Sequence, residues 1–249
     1  MLLAEITGLF TGVLMLLAVG LLVLRRESGW WALGLVAVVA LVRILAGLGS
    51  SFDLARDVRH TLPLALLTLG LGAIAVHGTR QWGADARTAS GRGVLPETPD
   101  RRTRTRLVAV AVVALVVLVV MPGLVETVTL DAGPGMFLAV VCTTLTSTAT
   151  LVGLAALAER WRAGFALLGA AGAAQLVLVV VLAVAATRIT DGGGYTTSAI
   201  ASQAAPGAVQ SLLMVGLAVW GWRAWSRLPS REAGRPAYGQ VAHGTDPVR

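Results

Sequence analysis

Residues 79–106 read TRQWGADARTASGRGVLPETPDRRTRTR and interrupt an otherwise apolar chain. This basic segment carries seven arginines and only three acidic residues, Asp85, Glu97 and Asp100. Basic segments beside membrane spans stay on the cytoplasmic side, because moving arginine across the membrane against the potential is costly. We therefore place the basic segment in the cytoplasm, and this placement gives every neighbouring span a direction.

The composition is typical of a membrane protein. Of the 249 residues, 56% are hydrophobic and only 13% are charged, whereas soluble domains average about 25% charged residues. Cytoplasmic segments that face anionic lipid account for the net charge of +7, and the arginines lack the interleaved aromatic residues that base stacking requires. We expect the lipid bilayer as a partner, other membrane subunits or a cytoplasmic protein at the basic segment as further candidates, and no nucleic acid.

The missing residue types exclude several cofactors and sites. All 20 basic side chains are arginine, so no lysine can carry a Schiff-base cofactor, and Cys142 is the only cysteine. An intrachain disulfide and a cysteine metal cluster are therefore excluded. His60 and His77 flank the third predicted span about 25 Å apart along a helix, too far to share an ion. We predict no cofactor and no metal site.

Apolar runs predict an all-α fold, an integral membrane bundle of seven transmembrane helices with its N-terminus outside and its C-terminus cytoplasmic. The predicted spans are 4–24, 30–49, 61–78, 107–125, 136–158, 163–187 and 206–222. Three spans thus fall in 1–78 and four in 107–222, and a basic tail, 223–249, follows. We predict that the basic segment and the tail are mostly disordered, and that the protein lies in a bacterial inner membrane.

Two patterns that were not used to draw these boundaries support them. Sixteen arginines fall on the predicted inner side, and only Arg56, Arg59 and Arg188 fall outside. All seven tryptophans lie near the predicted inner boundary, where indole rings prefer to sit: Trp30, Trp31, Trp82, Trp161, Trp220, Trp222 and Trp225. No internal repeat is predicted, since three spans precede the basic segment and four follow it.

The span count and orientation resemble those of rhodopsin-type proteins. That family binds retinal through a lysine, and this chain contains no lysine. The resemblance therefore implies neither a chromophore nor a shared function.

Arg43 is the one charge well inside a predicted span. It lies about 20 Å along the second span from Trp30, in the outer half of the membrane. An ionisable residue at this depth is a candidate functional residue. The alternative is a structural ion pair, in which the side chain extends outward to Asp53, Glu5 or Glu126.

A hydroxyl stripe marks the fifth predicted span. Its members follow helical spacing on one face and cross the midplane: Thr143, Thr146, Ser147 and Thr150. Gln175 in the sixth span reaches a similar depth, and Gln210 lies near the outer mouth of the seventh. These residues indicate either a polar solute path or helix packing through side-chain hydrogen bonds.

Three functions remain open from the sequence. A permease or transporter component for a small solute or lipid is favoured by the hydroxyl stripe, Gln175 and Arg43. A non-catalytic accessory, sensor or scaffold subunit is favoured by the scarcity of charge inside the spans. A membrane enzyme acting on lipid or prenyl substrates rests only on the spacing of Asp53 and Asp57, so we do not predict an enzyme.

The orientation is testable with reporter fusions. Reporters inserted at Gly91 and at the C-terminus should both report the cytoplasm, because both positions lie in arginine-rich segments. A matched insertion in the acidic segment 126–135 should report the exterior. Opposite locations for the first two reporters would contradict the predicted seven spans.

Overall fold

The computed structural model describes residues 2–48, 54–87, 101–120, 134–190 and 197–227. Within these ranges the chain forms seven α-helices and no β-strand. The helices are α1 (Leu2–Val23), α2 (Ser28–Leu48), α3 (Leu54–Arg87), α4 (Arg101–Val120), α5 (Pro134–Ala158), α6 (Ala163–Thr190) and α7 (Thr197–Ser226). The predicted all-α fold is confirmed for the described ranges.

The surface of the bundle is that of a membrane protein. Three helical stretches are long and apolar enough to cross a membrane: Ser28–Ala46, Ala163–Val184 and Ala204–Ser226. On α2, Leu35, Val38, Val42 and Leu45 are each about half exposed. Such a surface requires lipid or a protein partner.

Helices α3 and α7 extend well beyond the spans predicted for them. Helix α3 begins at Leu54 and continues to Arg87, so residues 79–87 are helical, in contrast to the predicted disorder. Residues 101–106 of the basic segment are also helical, and 88–100 lie outside the described ranges, as does the tail from 228 onward. The reason is packing, because Trp82 lies in this part of α3 and is buried. Helix α7 likewise begins at Thr197 and contains Pro206.

Six of the seven helices form a closed ring. In order around the ring, the contacts are α1 with α2, α2 with α3, α3 with α5, α5 with α6, α6 with α7, and α7 with α1. Helix α4 lies outside the ring against α3 and α5. The main buried cluster includes Trp30, Trp82 and Trp225. We call the end of the bundle where these three residues meet the tryptophan end.

The turns between α1 and α2 and between α5 and α6 have the same backbone structure. Each contains an arginine in the left-handed conformation, Arg25 with φ 59° and Arg160 with φ 60°. In each turn the arginine N–H donates to the carbonyl three residues earlier, and the next N–H donates to the carbonyl five residues earlier. This is the Schellman motif, in which glycine usually takes the left-handed position. A residue with a Cβ costs about 1–2 kcal/mol there, yet both turns have arginine.

The sequences around the two turns share a spacing that the turns alone do not require. The pattern is Leu22, Arg25, Gly29, Trp30, Leu33 and Gly34 in the first, and Leu157, Arg160, Gly164, Phe165, Leu168 and Gly169 in the second. The glycines make equivalent contacts. A Cβ at Gly29 would lie 2.9 Å from the carbonyl oxygen of Ala18, and one at Gly164 would overlap the carbonyl oxygen of Gly153.

Helices α3 and α7 also correspond to each other. Both have the pattern Gly-x-Arg-x-Trp near their C-terminal end, from Gly78 to Trp82 in α3 and from Gly221 to Trp225 in α7. A Cβ at Gly78 would overlap the ring of Trp30, and a Cβ at Gly221 would overlap the ring of Phe165. In both repeats, the glycine of the third helix thus makes room for the aromatic residue at the equivalent position of the second helix.

The bundle thus consists of two three-helix repeats, α1–α3 and α5–α7, with α4 between them in sequence. Both repeats place their hairpin turn and the end of their third helix at the tryptophan end. They therefore run in the same direction and are related as if by a two-fold axis along the helices. The shared turns and glycine contacts argue against the expectation of no internal repeat.

The glycine notches can be tested with matched controls on the same helices. Gly78→Ala and Gly221→Ala should each lower the Tm in detergent by several degrees, since overpacking costs about 1–3 kcal/mol. Gly70 and Gly216 have no atom within 4 Å of an added Cβ. Gly70→Ala and Gly216→Ala should leave the Tm unchanged or raise it. Equal effects at all four positions would contradict the notches.

Candidate functional site

The two repeats meet at two equivalent interfaces, α1 with α7 and α3 with α5. In the first, a Cβ at Gly20 would lie 3.9 Å from Cδ2 of Leu217. In the second, Ile74 packs against a buried cluster that includes Ala155. Gly20 corresponds to Ala155, and Leu217 to Ile74, under the alignment of the repeats. The same pair of positions therefore forms both interfaces.

A polar group enters the α1–α7 interface two helical turns farther from the tryptophan end. A Cβ at Gly12 would lie 2.6 Å from Oε1 and 2.9 Å from Nε2 of Gln210. The Gln210 amide thus lies against the backbone at Gly12, and a Cβ there would displace it. Gly12 lies about 17 Å along α1 from Val23, a distance of roughly half the thickness of a hydrocarbon core of about 30 Å.

The corresponding position of the α3–α5 interface differs in chemistry. Under the repeat alignment, Ser147 takes the place of Gly12, and Leu67 takes the place of Gln210. Ser147 is half-buried. At this depth the α1–α7 interface thus has an amide from α7, and the aligned position of α5 has a hydroxyl.

Two members of the hydroxyl stripe donate hydrogen bonds to backbone carbonyls. Thr150 donates to the carbonyl of Thr146 at 2.7 Å, and Thr146 donates across to the carbonyl of Ala171 in α6 at 3.5 Å. Thr143 is exposed. Thr146 and Thr150 thus contribute to helix structure and to the α5–α6 contact, and Ser147 is the stripe member at the position equivalent to Gly12.

Gln175 and Arg43 belong to α6 and α2, whereas the Gly12–Gln210 contact joins α1 and α7. Gln175 is half-buried on α6, one helical turn beyond Ala171. Arg43 is exposed on the outer surface of α2. Asp53 and Glu126 lie outside the described ranges, and the side chains of Glu5 and Asp57 are not described. The structure therefore leaves the partner of Arg43 and the Asp53–Asp57 pair untested.

Small residues of α6 pack against α7. A Cβ at Gly169 would lie 3.3 Å from the Cβ of Ala218, and a Cβ at Gly172 would lie 3.1 Å from the carbonyl oxygen of Ser211. Ser211 is itself buried and donates to the carbonyl of Gly207 at 2.8 Å. These positions explain the close approach of the two helices within the second repeat.

Four aromatic side chains pack in a row at the tryptophan end of the bundle. Ring centroids are 5.7 Å apart for Trp30 and Trp82, 5.8 Å for Trp82 and Trp225, and 5.0 Å for Trp225 and Phe165. The central pair joins the two repeats. The Trp225 indole also donates to the carbonyl of Val23 at 3.3 Å. We call these four residues the aromatic cluster.

Two arginines each lie over an aromatic ring of the other repeat. The guanidinium of Arg25, from the first repeat, lies 5.7 Å from the ring centroid of Trp225 in the second. That of Arg160, from the second repeat, lies 5.7 Å from the ring centroid of Trp82 in the first. Burial, with a further contribution from the positive charge of Arg160, lowers the pKa of Arg25 below its ordinary value. Each guanidinium group therefore lies over one ring of the Trp82–Trp225 pair.

Glu159 links helix α4 to the ring of helices. The Oε1 atom of Glu159 lies 2.9 Å from Nε2 of His77 in α3 and 3.3 Å from a guanidinium nitrogen of Arg106 in α4. Because the Glu159 side chain is only 14% exposed, its interactions are screened less than those of an exposed pair. One carboxylate thus joins α3, α4 and the turn after α5.

Comparison of the chain with known protein families, curated proteins and solved structures found no match.

Substitution of Glu159 tests its role as a junction. Glu159→Gln removes the charge that Arg106 faces, and we expect a loss of roughly 1 kcal/mol of stability, reduced by the exposure of Arg106. Arg106→Gln should produce a smaller loss, since His77 keeps its partner. Thermal unfolding in detergent measures both. A double variant with the sum of the two losses would contradict a direct interaction.

Proposed function

We propose that the chain is a permease for a small, uncharged polar solute. In this proposal it crosses a bacterial inner membrane seven times, with the N-terminus outside and the tryptophan end in the cytoplasm. The observation that carries the proposal is the pair of parallel three-helix repeats around a closed ring. Several transporter folds are built from parallel repeats, with the substrate near the membrane midplane where the repeats meet.

The polar groups at the repeat interfaces favour an uncharged substrate. Gln210 offers an amide, and Ser147 and Thr11 add hydroxyls at a similar depth along their helices. Arg43 is exposed on the outer surface, away from the repeat interfaces. Amide and hydroxyl groups suit a solute that both donates and accepts hydrogen bonds, such as a polyol, a sugar or an amide.

The aromatic cluster fits the closed end of such a path. The indole N–H groups of Trp30 and Trp82 are buried and have no hydrogen-bond partner among the described residues. Leaving a buried donor unsatisfied costs about 1–3 kcal/mol. Separation of the repeats at this end would let water reach both donors, which lowers the free energy of opening.

Osmotic flux in proteoliposomes tests the proposal. Vesicles with and without the protein are exposed to gradients of glycerol, erythritol, glucose, urea or glycine, and swelling is followed by stopped-flow light scattering. We expect the protein to raise the flux of at least one neutral probe. Gln210→Leu, which removes the amide, should reduce that flux at least fivefold, and Gly12→Ala, which displaces the amide, should act in the same direction.

Thr68→Val provides the matched control, because the Thr68 hydroxyl bonds to the carbonyl of Leu64 within its own helix. Its flux should equal that of the unsubstituted protein. Flux no higher than in protein-free vesicles for every probe would contradict the permease and favour a non-catalytic accessory subunit. Unchanged flux in Gln210→Leu would place the path elsewhere.

A further inference from the structure

Two indole N–H groups of the first repeat are buried at the tryptophan end without a hydrogen-bond acceptor among the described residues. They belong to Trp30, which is fully buried, and to Trp82, which is 8% exposed. The two ring centroids lie 5.7 Å apart in an edge-to-face arrangement. A buried donor that has lost its hydrogen bonds to water without gaining an acceptor destabilises the packed state. The two N–H groups therefore weaken the packing that their rings provide.

The second repeat shows that neither position requires an unpaired donor. Phe165 takes the place of Trp30, and its ring packs edge-to-face against Trp225 with centroids 5.0 Å apart. Trp225 takes the place of Trp82, and its N–H donates to the carbonyl of Val23 at 3.3 Å. A ring without a donor and a donor with an acceptor thus serve the same packing. The unpaired donors of the first repeat are therefore a feature separate from ring packing.

These donors lie beside the contacts that join the two repeats. Trp82 packs against Trp225, with ring centroids 5.8 Å apart, and the hydrogen bond from Trp225 to Val23 also runs between the repeats. Separation of the repeats at this end would break that hydrogen bond and open space beside Trp82 and its neighbour Trp30. The Trp225 donor thus stabilises the closed tryptophan end, whereas the two unpaired donors favour its opening.

We propose that Trp30 and Trp82 donate hydrogen bonds to the transported solute as it leaves through the tryptophan end, a role that rests on the permease function proposed above. An indole N–H is a donor only, so the solute that it binds must carry acceptors. The ligand class is therefore a neutral solute with accessible oxygens, such as the hydroxyls of a polyol or sugar or the carbonyl of an amide. The solute satisfies both donors only when this end is open, so its binding favours the open state.

Replacement of one indole N–H by sulfur tests the donors while keeping the shape of the ring. β-(3-Benzothienyl)alanine is incorporated into the full chain in place of Trp30 or of Trp82, and the Tm in detergent and the flux in proteoliposomes are measured. Removal of an unpaired buried donor should raise the Tm by about 3 °C. The flux of the best-carried probe among glycerol, erythritol, glucose and urea should fall about threefold or more, because the solute loses a hydrogen bond.

The same replacement of Trp225 is the matched control, because that indole already donates to the carbonyl of Val23. Loss of this bond between the repeats should lower the Tm by about 3 °C, and the flux should not fall. Trp30→Phe provides a second variant without an unnatural residue, since Phe165 shows that a phenyl ring fits the equivalent position. Its flux should fall in the same way as that of the sulfur analogue.

Two results would overturn the role of the donors and leave the permease proposal standing. A lower Tm with the sulfur analogue in place of Trp30 or Trp82 would show that the N–H already has an acceptor in the closed state, such as a bound water. An unchanged flux in these variants, beside a clear flux of the unsubstituted protein, would show that the solute does not use the donors. If the unsubstituted protein carries none of the probes, the permease proposal fails and this role fails with it.

Discussion

The contact between Trp82 and Trp225 is the constraint on which the architecture depends. These two rings belong to different repeats and lie next to each other where the two-fold relation requires equivalent residues to meet. Each is held by an aromatic residue of its own repeat, Trp30 or Phe165, which in turn needs a glycine in the third helix. A bulkier residue at either glycine would push the aromatic partner away and separate the repeats at this end. The close packing of the six helices therefore depends on a small number of glycines.

The place of α4 follows from the number of helices in a repeat. A unit of three antiparallel helices ends at the opposite end of the bundle from the one where it begins. A second unit of the same orientation must start at the first end, so the chain needs one more helix between the two. Helix α4 has the position expected of such a connector, since within the described ranges it contacts α3 and α5 alone and stays outside the ring of helices. Its attachment through Glu159 has no counterpart in the first repeat, where Leu24 takes the equivalent position.

The sequence predicts the helices of the described ranges well, because apolar runs report them directly. It predicts the α5–α6 turn at 159–162, which the structure confirms. It does not reveal that residues 79–87 continue α3, since their polarity masks the burial of Trp82. The hydroxyl stripe also misleads in part, because a threonine that bonds to its own backbone looks the same in sequence as one that lines a path. The repeat was detectable from the shared spacing around Arg25 and Arg160 and from the two Gly-x-Arg-x-Trp patterns. These signals are spread over few positions, so hydropathy alone misses them.

Comparison of the two repeats separates the positions that they share from the positions at which they differ. At the tryptophan end, both repeats have an arginine in the turn, a glycine four residues later, and a tryptophan near the C-terminal end of the third helix. Positions away from that end differ, with Gly12 replaced by Ser147 and Leu67 by Gln210. A purely structural duplication would have no reason to place an amide at this depth, because an amide gains less from packing than leucine does. An asymmetric binding site does have a reason, since a solute without two-fold symmetry is best held by different groups on its two sides. The repeats thus differ at the depth of Gly12 and are alike at the tryptophan end. This combination favours a site for one asymmetric ligand.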